Sequence, residues 1–230
     1  MNRRTQAGAA RTVIVTAGPT REYLDPVRFL SNPSTGKMGF AVAAEAARRG
    51  HRVTLVAGPV ALRTPPGVTR VDVVSAREML AAVRHAVAAA EGVTVVVSTA
   101  AVADWRPARC AGQKLKKGEM SNVLRLVRNP DILRTLDRER RRTGRANLHL
   151  VGFAAETRDV LSEAARKCRV KGLDFIVAND VTRKGCGFGT DTNQVTFVFP
   201  DGAMTDLPLA SKRLVARRIV REVEGRAASC

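Results

Sequence analysis

Asn32 stands at the end of a long polar connection, and Ser34, Thr35 and Gly36 follow it into an Ala-rich stretch of helical spacing. An asparagine amide can both donate and accept hydrogen bonds. Ser34, Thr35 and Gly36 would present free backbone N–H groups at the opening of a helix over 37–49, where aligned peptide dipoles favour an anion. Further along, Lys-Leu-Lys-Lys occupies 114–117. On an extended segment Lys114 and Lys116 share a face and Lys117 points to the other. Two ammonium groups on one side suit a triphosphate, while a solvated basic loop is the commoner account of one such motif. Lys167 and Lys171 lie four apart, together on one helix face if the helix continues that far. Asp104 is the first carboxylate after a long apolar run, and Asn179 and Asp180 end another. Asp104 is then either a site residue or a turn former. Asn129-Pro130 reads as a helix entry with proline at the first helical position.

Familiar alternatives fall away. Ser-Thr-Gly-Lys resembles a P-loop, but Ser31 stands where its first glycine belongs and Met38 where its final hydroxyl belongs. No G-x-G-x-x-G is present; only Gly36 and Gly39 remain, Gly39 better suited to close helix–strand packing and Gly36 equally to packing or phosphate contact. His51, His85 and His149 lack mutual spacing, and Cys110, Cys168, Cys186 and Cys230 form no C-x-x-C. No protein metal cage is expected, though Mg²⁺ carried by a nucleotide needs few protein ligands.

In an open α/β sheet such groups would meet beyond the carboxyl ends of the strands. The sequence alternates accordingly. Apolar strands are expected at 11–18, 51–58, 68–74, 93–103, 148–155 and 173–180, with helices at 37–50, 76–91 (capped by Ser75), 130–142, 157–169 and 211–225. Two strands around Asp201-Gly202 (195–208) read as a hairpin. The expected fold is α/β: a doubly wound, mostly parallel, Rossmann-like sheet with an antiparallel hairpin extending one edge. Two segments interrupt the pattern. About twenty residues separate the first strand from its helix, where two to six are usual, and the basic, turn-rich stretch 105–128 reads as a flap. The expected organisation is one domain over 12–225, with a flexible N-terminus at 1–11 and a tail at 226–230.

Composition sets the outer limits. The 230 residues are 45% hydrophobic, enough for one substantial core, and carry a net charge of +18. No run of eighteen apolar residues exists to span a bilayer, and no secretory h-region follows the basic start. A cytoplasmic protein without disulfides is expected. The charge would fit nucleic acid, an anionic membrane or a polyanionic small substrate, but 31 arginines are scattered and aromatics amount to 4%. A single-strand-binding platform needs more aromatic surface.

Taken together, GPTREYLDPVRFLSNPSTGKMGFAVAAEAARRGHRVTLVAGPV, TAAVADWRP, KLKK, LVRNPDIL, VGFAAET, KGLDFIVAND and GFGTDTNQV resemble, in order and over about 12–225, the phosphopantothenate–cysteine ligase family of coenzyme A biosynthesis. The resemblance implies a two-step reaction. The carboxylate of 4'-phosphopantothenate attacks the α-phosphate of a nucleoside triphosphate, CTP in bacterial members and otherwise ATP, giving an acyl-nucleotide and pyrophosphate. The amine of L-cysteine then displaces the nucleotide. By position, Asn32 matches the asparagine serving the cysteine step, and Lys114 the lysine that binds phosphates. Ala100, Asp104, Asn129, Pro130, Phe153, Lys167 and Lys171 match nucleotide positions. Ser34, Thr35, Gly36, Asn179 and Asp180 are left for phosphopantothenate. Thr35 replaces a common serine but keeps the hydroxyl. The resemblance further implies Mg²⁺ with the nucleotide, a homodimer, and neither a nucleic-acid nor a membrane partner. Many members follow a flavin-dependent decarboxylase domain; only a dozen residues precede the first strand here, so a stand-alone ligase without flavin is expected.

Overall fold

A computed structural model describes residues 10–119 and 122–226. Most of the expected N-terminal and C-terminal tails, with Cys230, lie outside the described residues. The elements, in chain order, are β1 (Thr12–Ala17), β2 (Arg21–Tyr23), β3 (Phe29–Ser31), α1 (Lys37–Arg48), β4 (Arg52–Ala57), β5 (Val68–Asp72), α2 (Ala76–Ala88), β6 (Thr94–Ser98), β7 (Trp105–Pro107), β8 (Leu126–Arg128), α3 (Ile132–Thr143), β9 (Leu148–Glu156), α4 (Val160–Val170), β10 (Phe175–Asp180), β11 (Thr192–Val198), β12 (Met204–Ser211) and α5 (Lys212–Arg226).

Eight strands form one sheet in the order β12-β11-β10-β9-β6-β1-β4-β5. The six from β5 to β10 run parallel, and β11 and β12 add antiparallel at one edge. Every residue of β1 is buried because helices cover both faces. Alternate side chains sort into two cores: Val13 and Val15 join Phe40, Val42 and Ile219 under α1 and α5, while Ile14 joins Met79, Leu136 and Ala164 under α2, α3 and α4. Strand order reverses between β1 and β6, so a crevice opens where their carboxyl ends diverge.

The local signals explain most of these elements. Ser75 caps α2 by accepting from the Glu78 amide at 3.2 Å, and the Glu78 carboxylate returns the bond to the Val74 amide. The Asp201-Gly202 pair turns β11 into β12, with Asp201 accepting the Ala203 amide. Gly39 lets α1 rest directly on β1: a Cβ there would lie 2.5 Å from the Ala17 methyl and 2.4 Å from Thr99 Oγ1.

Three expectations change. The strand expected to reach residue 103 ends at Ser98; the apolar run continues, but its main chain leaves β6 to bond the exit of β1, with Ala101 N donating to Gly18 O and Thr20 N to Ala101 O. α3 begins at Ile132 and is capped by Asp131, not Asn129, so Pro130 precedes the helix. The long first connection is no plain loop: β2 and β3 pair within it as a hairpin. Of the 105–128 stretch expected as a flap, the two ends pair antiparallel as β7 and β8.

Candidate active site

At the crevice lies a cavity of about 290 Å³. Its walls come from the start of α1 (Ser34–Gly39), the exit of β6 (Ser98–Asp104), the Asn129–Leu133 turn, Phe153 and Ala155 of β9, Lys167 and Lys171 of α4, and Asn179 of β10. Each lies at or beyond the carboxyl end of a strand or at a helix terminus, where backbone groups lack intrahelical partners.

The start of α1 is open for an anion. Gly36, the residue before the first helical position, holds φ at 77°, a left-handed conformation that favours glycine. No side chain caps the helix and no acidic residue occupies its first turn. Ser34 Oγ accepts weakly from Gly36 N at 3.4 Å, and Thr35 Oγ1 donates to Phe188 O at 2.9 Å. The amides of the first turn therefore face the cavity with only the helix dipole to complement.

Four lysines border the same space: Lys37, Lys167, Lys171 and Lys212. Three have a carboxylate partner. Lys37 Nζ meets Asp191 at 2.7 Å, Lys171 Nζ meets Asp131 at 2.9 Å, and Lys167 pairs with Glu156. The fourth, Lys212, is only 7% exposed and donates to the Gly187 and Phe188 carbonyls at 3.4 and 3.3 Å. Burial, followed by repulsion from Lys37, pushes its pKa below the ordinary lysine value. A buried ammonium with only long carbonyl bonds is a standing demand for negative charge.

The opposite wall is shaped by main chain. Asn129 Nδ2 donates to Ala103 O at 2.8 Å, and its backbone N to Asp104 O at 2.8 Å, tying the Asn-Pro-Asp-Ile turn to the β6 exit. Ala100 N bonds Thr16 Oγ1 and Ala103 N bonds Thr20 Oγ1. Asp104 is exposed on the rim. Asn32 stands just behind this wall, its Nδ2 donating to Ala101 O at 3.1 Å.

The sequence-derived residues thus divide. Ser34, Thr35, Gly36, Ala100, Asp104, Asn129, Pro130, Phe153, Lys167, Lys171 and Asn179 line one cavity, and Asn32 touches its wall through Ala101. Lys114 and Lys116 do not line it; they are exposed on the flap. Asp180 does not line it either. Its carboxylate accepts Thr182 N and Oγ1 and pairs with Arg183, which holds it below the usual carboxylate range. Lys37, Phe188, Asn193 and Lys212 line the cavity without having been singled out. Phe188 and Asn193 belong to the Gly-Phe-Gly-Thr-Asp-Thr-Asn segment, whose glycines and polar residues were a usable signal; Lys212 had none, being one lysine at a helix start.

Among the described residues no three His, Cys, Asp or Glu side chains gather to hold a metal. Asp104 and Asp131 are the carboxylates on the rim, a donor set too small for a resident ion but compatible with one carried by phosphates. Cys168 and Cys186 are buried and Cys110 exposed, all as free thiols. Burial pushes the Cys168 thiol up to about 11, which keeps it inert.

Comparison with known proteins gives the family of the chain. A family model described as the DNA/pantothenate metabolism flavoprotein C-terminal domain matches residues 9–226. The coenzyme A biosynthesis bifunctional protein CoaBC of Bacillus subtilis is 46% identical over 212 residues, covering 92% of this chain and 50% of that protein. Its Escherichia coli counterpart is 46% identical over 219 residues, covering 92% and 51%. The chain spans about half the length of the curated relatives it matches. A crystal structure of the C-terminal domain of a CoaBC protein matches with a TM-score of 0.80 at 40% identity, covering 98% of this chain and all of that one.

Proposed function

The chain belongs to the family of the DNA/pantothenate metabolism flavoprotein C-terminal domain, and on that premise we propose that it is a phosphopantothenate–cysteine ligase acting in coenzyme A biosynthesis. The observation that carries this reading is the convergence, on one cavity, of an uncapped helix N-terminus and four lysines. Two polyanions must meet for the reaction to begin, and fixed cations lower that barrier.

In the first step a carboxylate oxygen of 4'-phosphopantothenate bonds to the α-phosphorus of CTP, the nucleotide we favour over ATP. The bond from that phosphorus to the bridging oxygen breaks, and pyrophosphate leaves with the electron pair. In the second, the cysteine nitrogen bonds to the acyl carbon. Nucleoside monophosphate departs, and the amine proton is lost to solvent. The first turn of α1, with Ser34, Thr35 and Gly36, would hold the phosphate of phosphopantothenate. Asn179 would accept from that substrate: its Oδ1 is buried without a partner while its Nδ2 is bound to Cys186 O. An orphaned acceptor calls for a hydroxyl or amide N–H, not for phosphate.

The nucleotide would lie along Ala100, Asp104, Asn129, Pro130 and Phe153, its phosphates reaching Lys167, Lys171 and, from the flap, Lys114. Its phosphates would compete with Glu156 and Asp131 for the ammonium groups of Lys167 and Lys171. Mg²⁺ carried by the triphosphate would offset charge on the departing pyrophosphate. Asn32 would orient the acyl group for cysteine. Asp180 takes no part in this reading. A homodimer through the two hairpins is also proposed, because Val27, Phe29, Trp105, Leu126 and Val127 are exposed there; light scattering on the purified protein, before and after Val127→Asp, tests it.

The deciding experiment is pyrophosphate release with 4'-phosphopantothenate and either CTP or ATP, followed by cysteine. Release that precedes cysteine, and amide only after it, is the expected result. No release with either nucleotide overturns the reading.

A further inference from the structure

Outside the cavity, one ion pair does unusual work. Asp25 lies in the turn between β2 and β3 and is fully buried. Its Oδ1 accepts the amides of Val27 and Arg28, each at 2.9 Å, which closes the turn. Its Oδ2 accepts Arg28 Nε at 2.9 Å and, from ninety residues away, the amide of Leu115 at 3.2 Å. The Arg28 guanidinium in turn donates to the Leu115 carbonyl at 2.5 Å. Both main-chain polar groups of Leu115 are thus held by one carboxylate–guanidinium pair. Four residues earlier, Ala111 N donates to Leu24 O at 2.8 Å, a second tie from flap to turn.

Leu115 sits between Lys114 and Lys116. Around it the flap is bare: Gly112, Gln113, Lys114, Lys116, Lys117 and Gly118 are all exposed. A loop so exposed wanders unless its backbone is fastened, and here it is fastened to the hairpin that leads to Asn32. Burial alone would raise the Asp25 pKa, but the amides of Val27, Arg28 and Leu115 and the Arg28 side chain hold it at about 2. Charge-assisted bonds of this kind are about twice as strong as neutral ones.

We propose that Asp25 and Arg28 form a docking clamp for the lysine-bearing part of the flap, and so act as positioning residues for Lys114 and Lys116 in the activation step. The assignment of those lysines to the nucleotide phosphates rests on the proposed ligase activity; the clamp itself does not. Asp25→Asn separates the two duties of the side chain. An asparagine Oδ1 can still accept Val27 N and Arg28 N, while Nδ2 would face two donors, Leu115 N and the guanidinium.

The test has two arms, on the full chain. In the first, a lysine-specific protease is followed by mass spectrometry. Asp25→Asn is expected to be cut after Lys114, Lys116 or Lys117 about tenfold faster, the factor for one lost bond of roughly 1.4 kcal/mol, with cutting after Lys212 unchanged. In the second, pyrophosphate release is measured against nucleotide concentration: KM for CTP is expected to rise about tenfold more than KM for 4'-phosphopantothenate, a split that general destabilisation does not produce. Should Asp25→Asn fail to fold, Arg28→Lys, which keeps the charge but loses the fork to Leu115 O, is read by the same assays. Unchanged cutting at all three flap lysines overturns the clamp whatever the enzyme does. Faster cutting with equal rises in both KM values overturns the positioning role. If the parent releases no pyrophosphate, the ligase reading fails and the positioning role with it, while the protease arm still decides the clamp.

Discussion

Asn32, Asn179 and Lys212 show how unevenly a single residue announces its work. Asn32 was legible from its place before an open helix N-terminus, and the structure sets its amide against Ala101 O at the cavity wall. Asparagine there can donate, aspartate cannot. Asn32→Asp is expected to keep pyrophosphate release within a few-fold of the parent yet form little amide, and parallel loss of both steps would refute its assignment to the second. Lys212 was illegible, because nothing in a sequence marks which helix-starting lysine will be buried. Its depressed pKa means that the folded state resists its charge. For a lysine so shifted, the penalty is full near neutral pH and disappears as pH rises toward 10.5, the ordinary value. Lys212→Met is therefore expected to raise Tm by about 2–4 °C at pH 7, for about 1 kcal/mol in a chain of this size, with the gain shrinking as pH rises toward 10.5. Lys212 also lines the cavity, so under the proposed reading the same variant loses affinity for an anionic ligand there, a trade of function for stability. Differential scanning calorimetry across pH and a binding titration measure the two effects.

The elements were legible where periodicity was long and obscure where it was short. β1, α1 and α2 carry long apolar patterns, α2 adds an explicit cap, and Asp201-Gly202 marks the β11–β12 turn. β2 and β3 have three residues each, too few for alternation to register, and their pairing depends on the Asp25 turn, not on any pattern. The overlong reading of β6 has the opposite cause: apolar residues continue past Ser98, where pairing with β1 and β9 has ended. Between β9 and β10 a carboxylate does the joining. Asp174 accepts Leu150 N at 2.7 Å and binds His149 at 2.8 Å, with Arg140 of α3 at 3.4 Å. Burial would raise its pKa, but His149, the Leu150 amide and Arg140 together lower it. A depressed carboxylate contributes stability above its ordinary value of 3.8 and loses it as pH falls below. Asp174→Asn should lower Tm at pH 7 by several degrees, and the difference from the parent should narrow below about pH 4. A gap that stays constant with pH would show that shape, not charge, is what Asp174 supplies.

At the scale of the whole molecule, the net charge of +18 points to a polyanion without naming one, and the cavity with its four lysines gives the charge a place to act. Several arginines serve structure instead: Arg11, Arg140 and Arg145 donate to main-chain carbonyls at the ends of helices and strands. The remaining field should still draw anions from solution, screened over about 8 Å at physiological salt. Raising ionic strength is expected to raise KM for the nucleotide several-fold and leave KM for zwitterionic cysteine nearly unchanged; equal effects would mean that the long-range field is idle. Gly18 O, Ala101 N, Ala101 O and Thr20 N stitch the exits of β1 and β6 together through main chain alone. The wall at 100–102 therefore owes much of its course to peptide groups that every residue but proline shares. Ala100 and Val102 also pack against the second core, so under the ligase reading a library limited to small apolar residues at these two positions should return mostly folded proteins whose ratio of CTP to ATP use is scattered.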